Sequence, residues 1–286
     1  IVHARTHHSA RSRALMRAAL SRLLLSAVLA GDKRAPGSTV GIDLGTTNSA
    51  IAVFDGDGNP RVVPNVHGEM TTPSVVAYGA DGSAMVGQEA IAHASTDVSN
   101  VVFSAKRFIG RPLRSVQSFV AAAGAPVREG VDGDVAFECP ACTEPVAAEE
   151  VSAQVLRWLL ADAERHTGQR ADRAVITIPA YFDERQRLAT LAAARLAGLA
   201  EVQLLAEPVA ACVAHQLSGA VGTILVFDLG AGTFDVSVLR LSAGGDLEVV
   251  ATSGDARLGG NDFDAALVGW LRKEGAERLG TSYARD

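Results

Sequence analysis

Two stretches of the chain end an apolar segment in the same three residues, Asp-Leu-Gly, and continue with small or hydroxyl residues. The first contains Asp43 and Gly45, and the second contains Asp228 and Gly230. A glycine-rich turn after a strand presents backbone N–H groups to phosphate oxygens, because no side chain blocks them. A carboxylate just before the turn can hold a metal ion through its waters. Two such loops facing each other would bind a polyphosphate and its Mg²⁺ from both sides.

Several common nucleotide-binding motifs are missing from the sequence. It has no GxxxxGK[ST] segment of a P-loop and no kinase catalytic-loop signature. The segment from Gly230 to Gly232 lacks the third glycine of a dinucleotide-binding fingerprint, and a strand pattern follows it. The two loops therefore indicate a different phosphate-binding fold.

Strand signals flank the first loop. Residues 40–44, 50–54, 61–64 and 74–78 are predicted as strands, because their apolar and β-branched residues are bounded by turn signals. A further extended pair is expected near residues 135–137. The chain thus opens as a β-meander that contains the first loop.

Helical spacing and capping signals predict three helices in the middle of the chain. The first begins near residues 149–152, the second is capped by Asp183, and the third opens at Pro208. Buried strands at 174–178 and 202–205 alternate with them. The predicted apolar faces of the first two helices are Val151, Val155, Leu159 and Ala163, and Leu188, Leu191, Ala192 and Leu196.

A second set of strands at 224–228, 234–241 and 247–252, followed by a helix at 262–279, repeats the opening pattern. This order predicts an α/β lobe followed by the start of a second copy. The predicted boundaries are a leader at 1–37, a first lobe at 38–221 with a small-subdomain insertion at about 80–148, and an incomplete second lobe at 222–286.

Composition excludes some classes of function. The chain has 286 residues, 48% of them hydrophobic, and a formal charge of −6, without a basic stripe that would indicate nucleic-acid binding. Its three cysteines argue against a disulfide scaffold and for a reducing compartment. The Cys139-Pro-Ala-Cys142 segment favours a tight turn, with a redox pair or half a zinc site as alternatives. Cys212 is predicted to be a small core residue.

The first 37 residues differ from the rest of the chain. They are rich in arginine and serine and have no acidic residue before Asp32, which is typical of an organellar transit peptide for a mitochondrion or plastid. The apolar run at 23–30 is shorter than the roughly 20 residues of a membrane span. The alternatives are a secretory signal and an untranslated stretch, since the chain begins at Ile1; without a leader the protein would be cytoplasmic.

The two loops and the segment 206–211 resemble the phosphate-binding and connecting segments of the actin/hexokinase/heat-shock ATPase superfamily. Further segments, in the same order, resemble the seventy-kilodalton heat-shock chaperone family in its bacterial and organellar form. The resemblance implies an actin/hexokinase-like, ribonuclease H-like bilobal α/β fold with a truncated second lobe. The segments that resemble the heat-shock chaperone family lie at 71–74, 86–88, 105–110, 178–182, 186–187, 197–199 and 254–264.

The resemblance also implies roles for particular residues. Asp43 and Asp228 would hold Mg²⁺ through water, and Pro179 and Arg187 would relay the nucleotide state to a substrate domain. The implied catalytic residues are Lys106, Glu207, Asp43, Asp228 and Thr233. The implied nucleotide-binding residues are Gly45, Thr46, Thr47, Asn48, Gly230, Gly232, Thr233 and Asp235.

The implied function is ATP hydrolysis coupled to binding and release of unfolded polypeptides during folding and stress. ATP and Mg²⁺ are the implied cofactors, with K⁺ as a further candidate. The implied partners are unfolded clients bound by a missing C-terminal domain, a J-domain co-chaperone and a nucleotide-exchange factor, without nucleic acid or a membrane span. A small-molecule kinase of the same fold and a non-catalytic actin-like scaffold are the alternatives.

Two residues depart from the family pattern. Ala231 stands where the middle glycine of the second loop is usual, and its Cβ is expected to crowd a phosphate or to conflict with a positive φ. Ala206 replaces the usual asparagine before Glu207 and removes a polar group from the site. Because of these two departures, the sequence makes no prediction of the hydrolysis rate.

Overall fold

The computed structural model describes residues 2–4, 39–215, 221–243 and 246–279. The strands are β1 (Val2–Ala4), β2 (Thr39–Asp43), β3 (Asn48–Phe54), β4 (Pro60–Val62), β5 (Thr72–Pro73), β6 (Val75–Tyr78), β7 (Ala84–Val86), β8 (Val101–Phe103), β9 (Val127–Glu129), β10 (Val135–Phe137), β11 (Val146–Ala147), β12 (Arg173–Ile178), β13 (Glu201–Ala206), β14 (Gly222–Leu229), β15 (Phe234–Leu241) and β16 (Leu247–Asp255). The helices are α1 (Gln88–Ala94), α2 (Ala148–Thr167), α3 (Glu184–Leu196), α4 (Glu207–Ala214) and α5 (Gly260–Leu279). Short 3₁₀ turns lie at Val98–Asn100, Ala105–Arg107, Leu113–Ser115, Gln117–Ala122 and Val131–Gly133.

The main sheet of the first half combines a meander with two parallel strands. Strands β2, β3 and β4 are antiparallel, and β12 and β13 lie in parallel on the other side of β2. All six residues of β12 are buried, as a central parallel strand requires. The register places Thr177 beside Asp43, at the end of β2 where the first loop begins. The strands predicted around the first loop and at 174–178 are confirmed.

The two long helices of the first half confirm the predicted Asp183 cap but only one of the two predicted apolar faces. The predicted apolar stripe of α2 is buried throughout, and Asp183 caps α3 by accepting a bond of 2.9 Å from the Gln186 N–H. The predicted apolar face of α3 is wrong, because Leu188 is 54% and Leu196 47% exposed. Small residues cover the buried side instead, since α3 packs on α2 and small side chains allow close approach. These buried residues are Ala189, Thr190, Ala193 and Ala194.

The insertion between the meander and α2 contains two three-stranded sheets. One has the order β7-β6-β8 and packs against α1, and the other has the order β11-β10-β9. The extended pair predicted near 135–137 is confirmed, because β10 pairs with β9 and β11. Phe137 of β10 packs edge-on against Phe108, with ring centroids 5.4 Å apart. This contact joins β10 to the segment of the insertion that carries Lys106.

The second half repeats the opening of the first. Strands β14, β15 and β16 form an antiparallel meander that corresponds to β2, β3 and β4. Strand β1 pairs in parallel with β14, at the place that β12 takes beside β2. The sequence analysis placed residues 1–37 outside the fold. The structure differs for residues 2–4, which form β1 beside β14. The open edge of β14 offers unpaired N–H and C=O groups with which such a segment can pair. Residues 5–38, which include the predicted transit signal, lie outside the described residues.

Candidate active site

Two serines fix the first loop. The Gly45 N–H donates to Ser49 Oγ at 3.2 Å, and the Ser74 hydroxyl donates to the Gly45 carbonyl oxygen at 2.8 Å. The two serine oxygens are themselves 2.8 Å apart and buried. A Cβ on Gly45 would collide with the Asn48 carbonyl oxygen, so this turn requires glycine. Residues 46–48 remain at least partly exposed, which leaves the turn open to a ligand.

The second loop is closed by its own backbone and by the start of α5. The Gly230 N–H donates to the Thr233 carbonyl oxygen at 2.8 Å. The N–H groups of Gly260 and Asn261 donate to the carbonyl oxygens of Gly230 and Ala231 at 3.0 and 2.8 Å. The loop therefore depends on α5, which the sequence placed after the third strand without assigning it to the site.

Ala231 fits this loop without backbone strain. Among the described residues, the non-glycine residues with a positive φ are Ser104 and Asp132. Gly230 and Gly232 are also absent from the described glycines that adopt a positive φ. The expected conflict of Ala231 with a positive φ is therefore wrong, because this turn keeps its backbone in the ordinary region.

Arg107 crosses from the first half to the second loop. Its Nη2 donates to the Gly232 carbonyl oxygen at 2.5 Å, and its guanidinium carbon lies 5.0 Å from the centroid of the Phe119 ring. A Cβ on Gly232 would collide with the guanidinium group. Burial lowers the pKa of Arg107, while the charge of Asp262 in α5 raises it. The sequence did not single out Arg107, although it directly follows Lys106.

A lysine and a glutamate that are far apart in the sequence form an ion pair between the loops. Lys106 Nζ lies 2.6 Å from Glu207 Oε1, and the two side chains are 10% and 22% exposed. Lys106 is placed by the 3₁₀ turn Ala105–Arg107, and Glu207 is the first residue of α4. The Phe182 ring centroid lies 6.0 Å from the ammonium group and adds a cation–π contact.

Asp43 is tied to the neighbouring strand. The Thr177 hydroxyl donates to Asp43 Oδ1 at 3.0 Å. Burial raises the pKa of the Asp43 carboxyl, and the charge of Glu207 raises it further, whereas Lys106 and the Thr177 bond lower it. Thr177 is buried and was not predicted as a site residue. Its hydroxyl fixes the rotamer of a carboxylate that the sequence assigned to the metal.

The aspartates of the second half complete a cluster of negative charge. Burial, followed by the charges of Glu207, Asp43 and Asp235, raises the pKa of Asp228 to about 7. Burial and the charge of Glu207 raise the pKa of Asp235 to about 6, while a hydrogen bond from Thr233 lowers it. The excess of carboxylates over ammonium groups makes this cleft a place for cations.

The structure thus brings the five predicted catalytic residues together, and neither predicted relay residue is joined to them by these contacts. Pro179 is buried directly after β12 and accepts the Phe182 N–H at 3.2 Å. Arg187 is exposed on α3, with its Nε 4.0 Å from Glu184 Oε2. The residues joined by contact or by charge are Lys106, Glu207, Asp43, Asp228, Thr233 and Asp235.

Two related halves, each ending its first strand in an aspartate and a phosphate-type turn, define a class of protein. Proteins of this class have the α/β fold of the actin and hexokinase type, and their nucleotide site lies between the two halves. The family model described as Hsp70 protein matches residues 39–286. The chain belongs to the Hsp70 family.

Relatives of this family are similar over most of the chain. "Heat shock 70 kDa protein 6, chloroplastic" of Arabidopsis thaliana is 48% identical over 86% of the chain and 34% of the relative. "Chaperone protein dnaK" of Guillardia theta is 48% identical over 83% of the chain and 38% of the relative. "Chaperone protein dnaK3" of Thermosynechococcus vestitus is 47% identical over 87% of the chain and 37% of the relative. The chain therefore spans little more than a third of the length of these relatives.

Proposed function

We propose that this chain supplies the phosphate-binding and catalytic part of an ATPase that drives a molecular chaperone. The observation that carries the proposal is the ion pair of Lys106 and Glu207, set among Asp43, Asp228 and Asp235 between two phosphate-type loops. The family membership favours a chaperone over a small-molecule kinase. The hydrogen-bonded turns of both loops support a working site rather than a scaffold.

Backbone N–H groups of the two loops would bind the β- and γ-phosphate oxygens, with the hydroxyls of Thr46, Thr47 and Thr233 as further donors. Lys106 would stabilise the charge that develops on the transferred phosphoryl group. Glu207 would orient the attacking water, since its carboxylate already lies beside the Lys106 ammonium group. The water attacks phosphorus in line, the bond to the leaving oxygen breaks, and a proton leaves with the inorganic phosphate.

The donor set fits Mg²⁺ held through water. Within the described ranges, no group of three or more His, Cys, Asp and Glu side chains is placed to hold one ion directly. Mg²⁺ keeps several waters and commonly takes one or two carboxylates plus phosphate oxygens, so Asp43 and Asp228 would accept hydrogen bonds from those waters. When bound, Mg²⁺ would offset the negative charge of the phosphate groups. K⁺ is a second candidate cation, tested by comparing hydrolysis in K⁺ and Na⁺ buffers.

The partners proposed for the full protein follow from its family. They are unfolded polypeptides, a J-domain co-chaperone and a nucleotide-exchange factor, with Pro179 and Arg187 as the relay toward the polypeptide-binding part. A plastid location is proposed because relatives from Arabidopsis thaliana and Pisum sativum are named as chloroplastic. None of the described helices is long and apolar enough to cross a membrane.

A chimera tests the proposal in a complete protein. Residues 39–286 replace the matching segment of the Arabidopsis relative, and hydrolysis of labelled ATP is followed in a single turnover with and without Mg²⁺. We expect Mg²⁺-dependent hydrolysis and refolding of a denatured client. A folded chimera that binds ATP without hydrolysing it would favour the scaffold, and transfer of the label to a small molecule would favour the kinase.

A further inference from the structure

The Cys139-Pro-Ala-Cys142 segment lies outside the candidate active site, in the loop between β10 and β11. The Cys142 N–H donates to the Cys139 carbonyl oxygen at 2.8 Å, which confirms the predicted turn. A turn closed by this bond keeps its first and fourth Cα atoms less than about 7 Å apart. A disulfide joins Cα atoms at about 4.4–6.8 Å. The backbone therefore already has the span that a disulfide needs.

Neighbouring residues hold this turn in place. The Ala141 N–H donates to Asn100 Oδ1 at 2.7 Å, and the Asn100 amide donates to Asp97 Oδ2 at 2.7 Å. Asn100 is itself buried. Because the bond fixes the turn from its middle residue, the two cysteines cannot drift apart without breaking a buried contact.

The two thiols differ in access. Their interaction makes the Cys139 thiol the harder of the two to ionise. Cys139 is 3% exposed and joins the main core, whereas Cys142 is partly exposed. Burial raises the pKa of both thiols, that of Cys139 to about 12, so attack on an external disulfide falls to the partly exposed Cys142. The Tyr78 hydroxyl is buried nearby without a hydrogen-bond partner among the described residues.

We propose that Cys139 and Cys142 are a redox-sensitive pair that closes to a disulfide within the existing turn. The oxidant is a disulfide of a small thiol or of a dithiol protein. The thiolate of Cys142 attacks one sulfur of that disulfide, forms a mixed disulfide and releases one thiol. Cys139 then loses its proton and attacks the Cys142 sulfur, which releases the second thiol. Two protein thiols become one disulfide, and one external disulfide becomes two thiols.

The test uses the purified chain in glutathione buffers of increasing oxidised fraction, quenched by alkylation and read by mass spectrometry. Trypsin leaves both cysteines in the peptide 129–157, whereas Cys212 lies in another peptide and is the internal control. We expect the oxidised peptide 129–157 to escape alkylation and to be about 2 Da lighter than the same peptide with two free thiols, while Cys212 stays alkylated. The equilibrium constant for forming the Cys139–Cys142 disulfide should be at least about 10-fold higher in the native chain than in guanidinium, because the native turn holds the two thiols together.

Two results would overturn the proposal. One is an equilibrium constant that is the same or lower in the native chain, and the other is a disulfide that joins Cys212 or two chains. The variant Cys139→Ser assigns the order of attack and should accumulate a glutathione adduct on Cys142. The variant Cys142→Ser should leave Cys139 unmodified until the chain is denatured, and an adduct on native Cys139 would contradict the assigned order.

Discussion

The two halves of the molecule begin with the same meander but are packed differently. In the first half, β2, β3 and β12 lie inside a continuous core. In the second half, large apolar side chains of β14 and α5 face outward: Leu225 is 49%, Phe227 37% and Trp270 55% exposed. A small buried cluster joins Cys212 of α4 to Val226 and Leu239 of the second half. Among the described residues, the same strand order thus has well-buried apolar side chains in the first half and more exposed ones in the second half.

This difference assigns different tasks to the two loops. The first loop is fixed by buried hydroxyl groups, and its aspartate is held by Thr177. The second loop is held by the start of α5 and by Arg107, which comes from the first half. In the proposed site, the first half therefore contributes Lys106 and Glu207, already paired, and the second half contributes Asp228 and Thr233.

The largest expected effect is in the preformed half. In the chimera, Lys106→Ala should lower the single-turnover hydrolysis rate by roughly 10²-fold and change ATP affinity by only a few-fold, because the ammonium charge acts mainly on the transition state. Lys106→Arg is the matched variant, since it keeps the charge but not the compact ammonium group. Equal losses in affinity and rate would make Lys106 a general binding residue.

The sequence predicted the loops and the strand order because these depend on local patterns, whereas the catalytic roles of Lys106 and Glu207 are proposed from the family resemblance. The Asp-Leu-Gly turns, the helical spacing and the Asp183 cap can each be recognised from a few neighbouring residues. The buried face of α3 was not predictable, because close packing on α2 selected alanines over leucines. Arg107 and Thr177 were missed for a related reason: their roles depend on strands and loops that meet only in the folded chain.

The contact that holds the second loop should have the next largest effect. Arg107→Met removes the charged donor to the Gly232 carbonyl oxygen but keeps an apolar group over Phe119. Loss of such a bond commonly costs about 1.5–3 kcal/mol, so the Kd for Mg-ATP should rise roughly 10-fold or more. Arg111→Met is the control, because Arg111 also lies over Phe119, at 5.8 Å, but donates to Ser115 instead. Similar losses in both variants, measured by calorimetry, would assign the effect to the aromatic contact.

Without nucleotide and Mg²⁺, the crowded carboxylates should make stability depend on pH. The pKa of Asp228 is raised from its ordinary value to about 7, so the folded chain binds this proton more tightly than the unfolded chain does. The stabilisation is complete below about pH 4 and is lost as pH rises through about 7. Urea unfolding should therefore show the free energy of unfolding falling by about 1 kcal/mol per pH unit between pH 5 and 7.

Asp228→Asn should reduce this dependence, because the amide does not titrate, and should leave the part that Asp235, with a pKa raised to about 6, contributes. Asp57→Asn, in an exposed turn, is the matched control and should leave the slope unchanged. An undiminished slope in Asp228→Asn would mean that other groups carry the titration. It would also mean that the second half does not place its aspartate against Glu207 and Asp43.

The smallest expected effect concerns the residue that departs most visibly from the family pattern. Ala231 has an ordinary φ and its carbonyl oxygen accepts the Asn261 N–H, so its methyl group is compatible with the loop as built. Ala231→Gly in the chimera should preserve or slightly raise the hydrolysis rate, by less than about 2-fold, since Gly gains only freedom that the loop does not use. Gly232→Ala is the comparison, because its Cβ would collide with the Arg107 guanidinium group and displace the contact that holds the loop. An increase of 10-fold or more in the rate of Ala231→Gly would mean that the methyl group hinders phosphate binding. A clear decrease would mean that the alanine rigidifies a loop that the rest of the second half cannot hold.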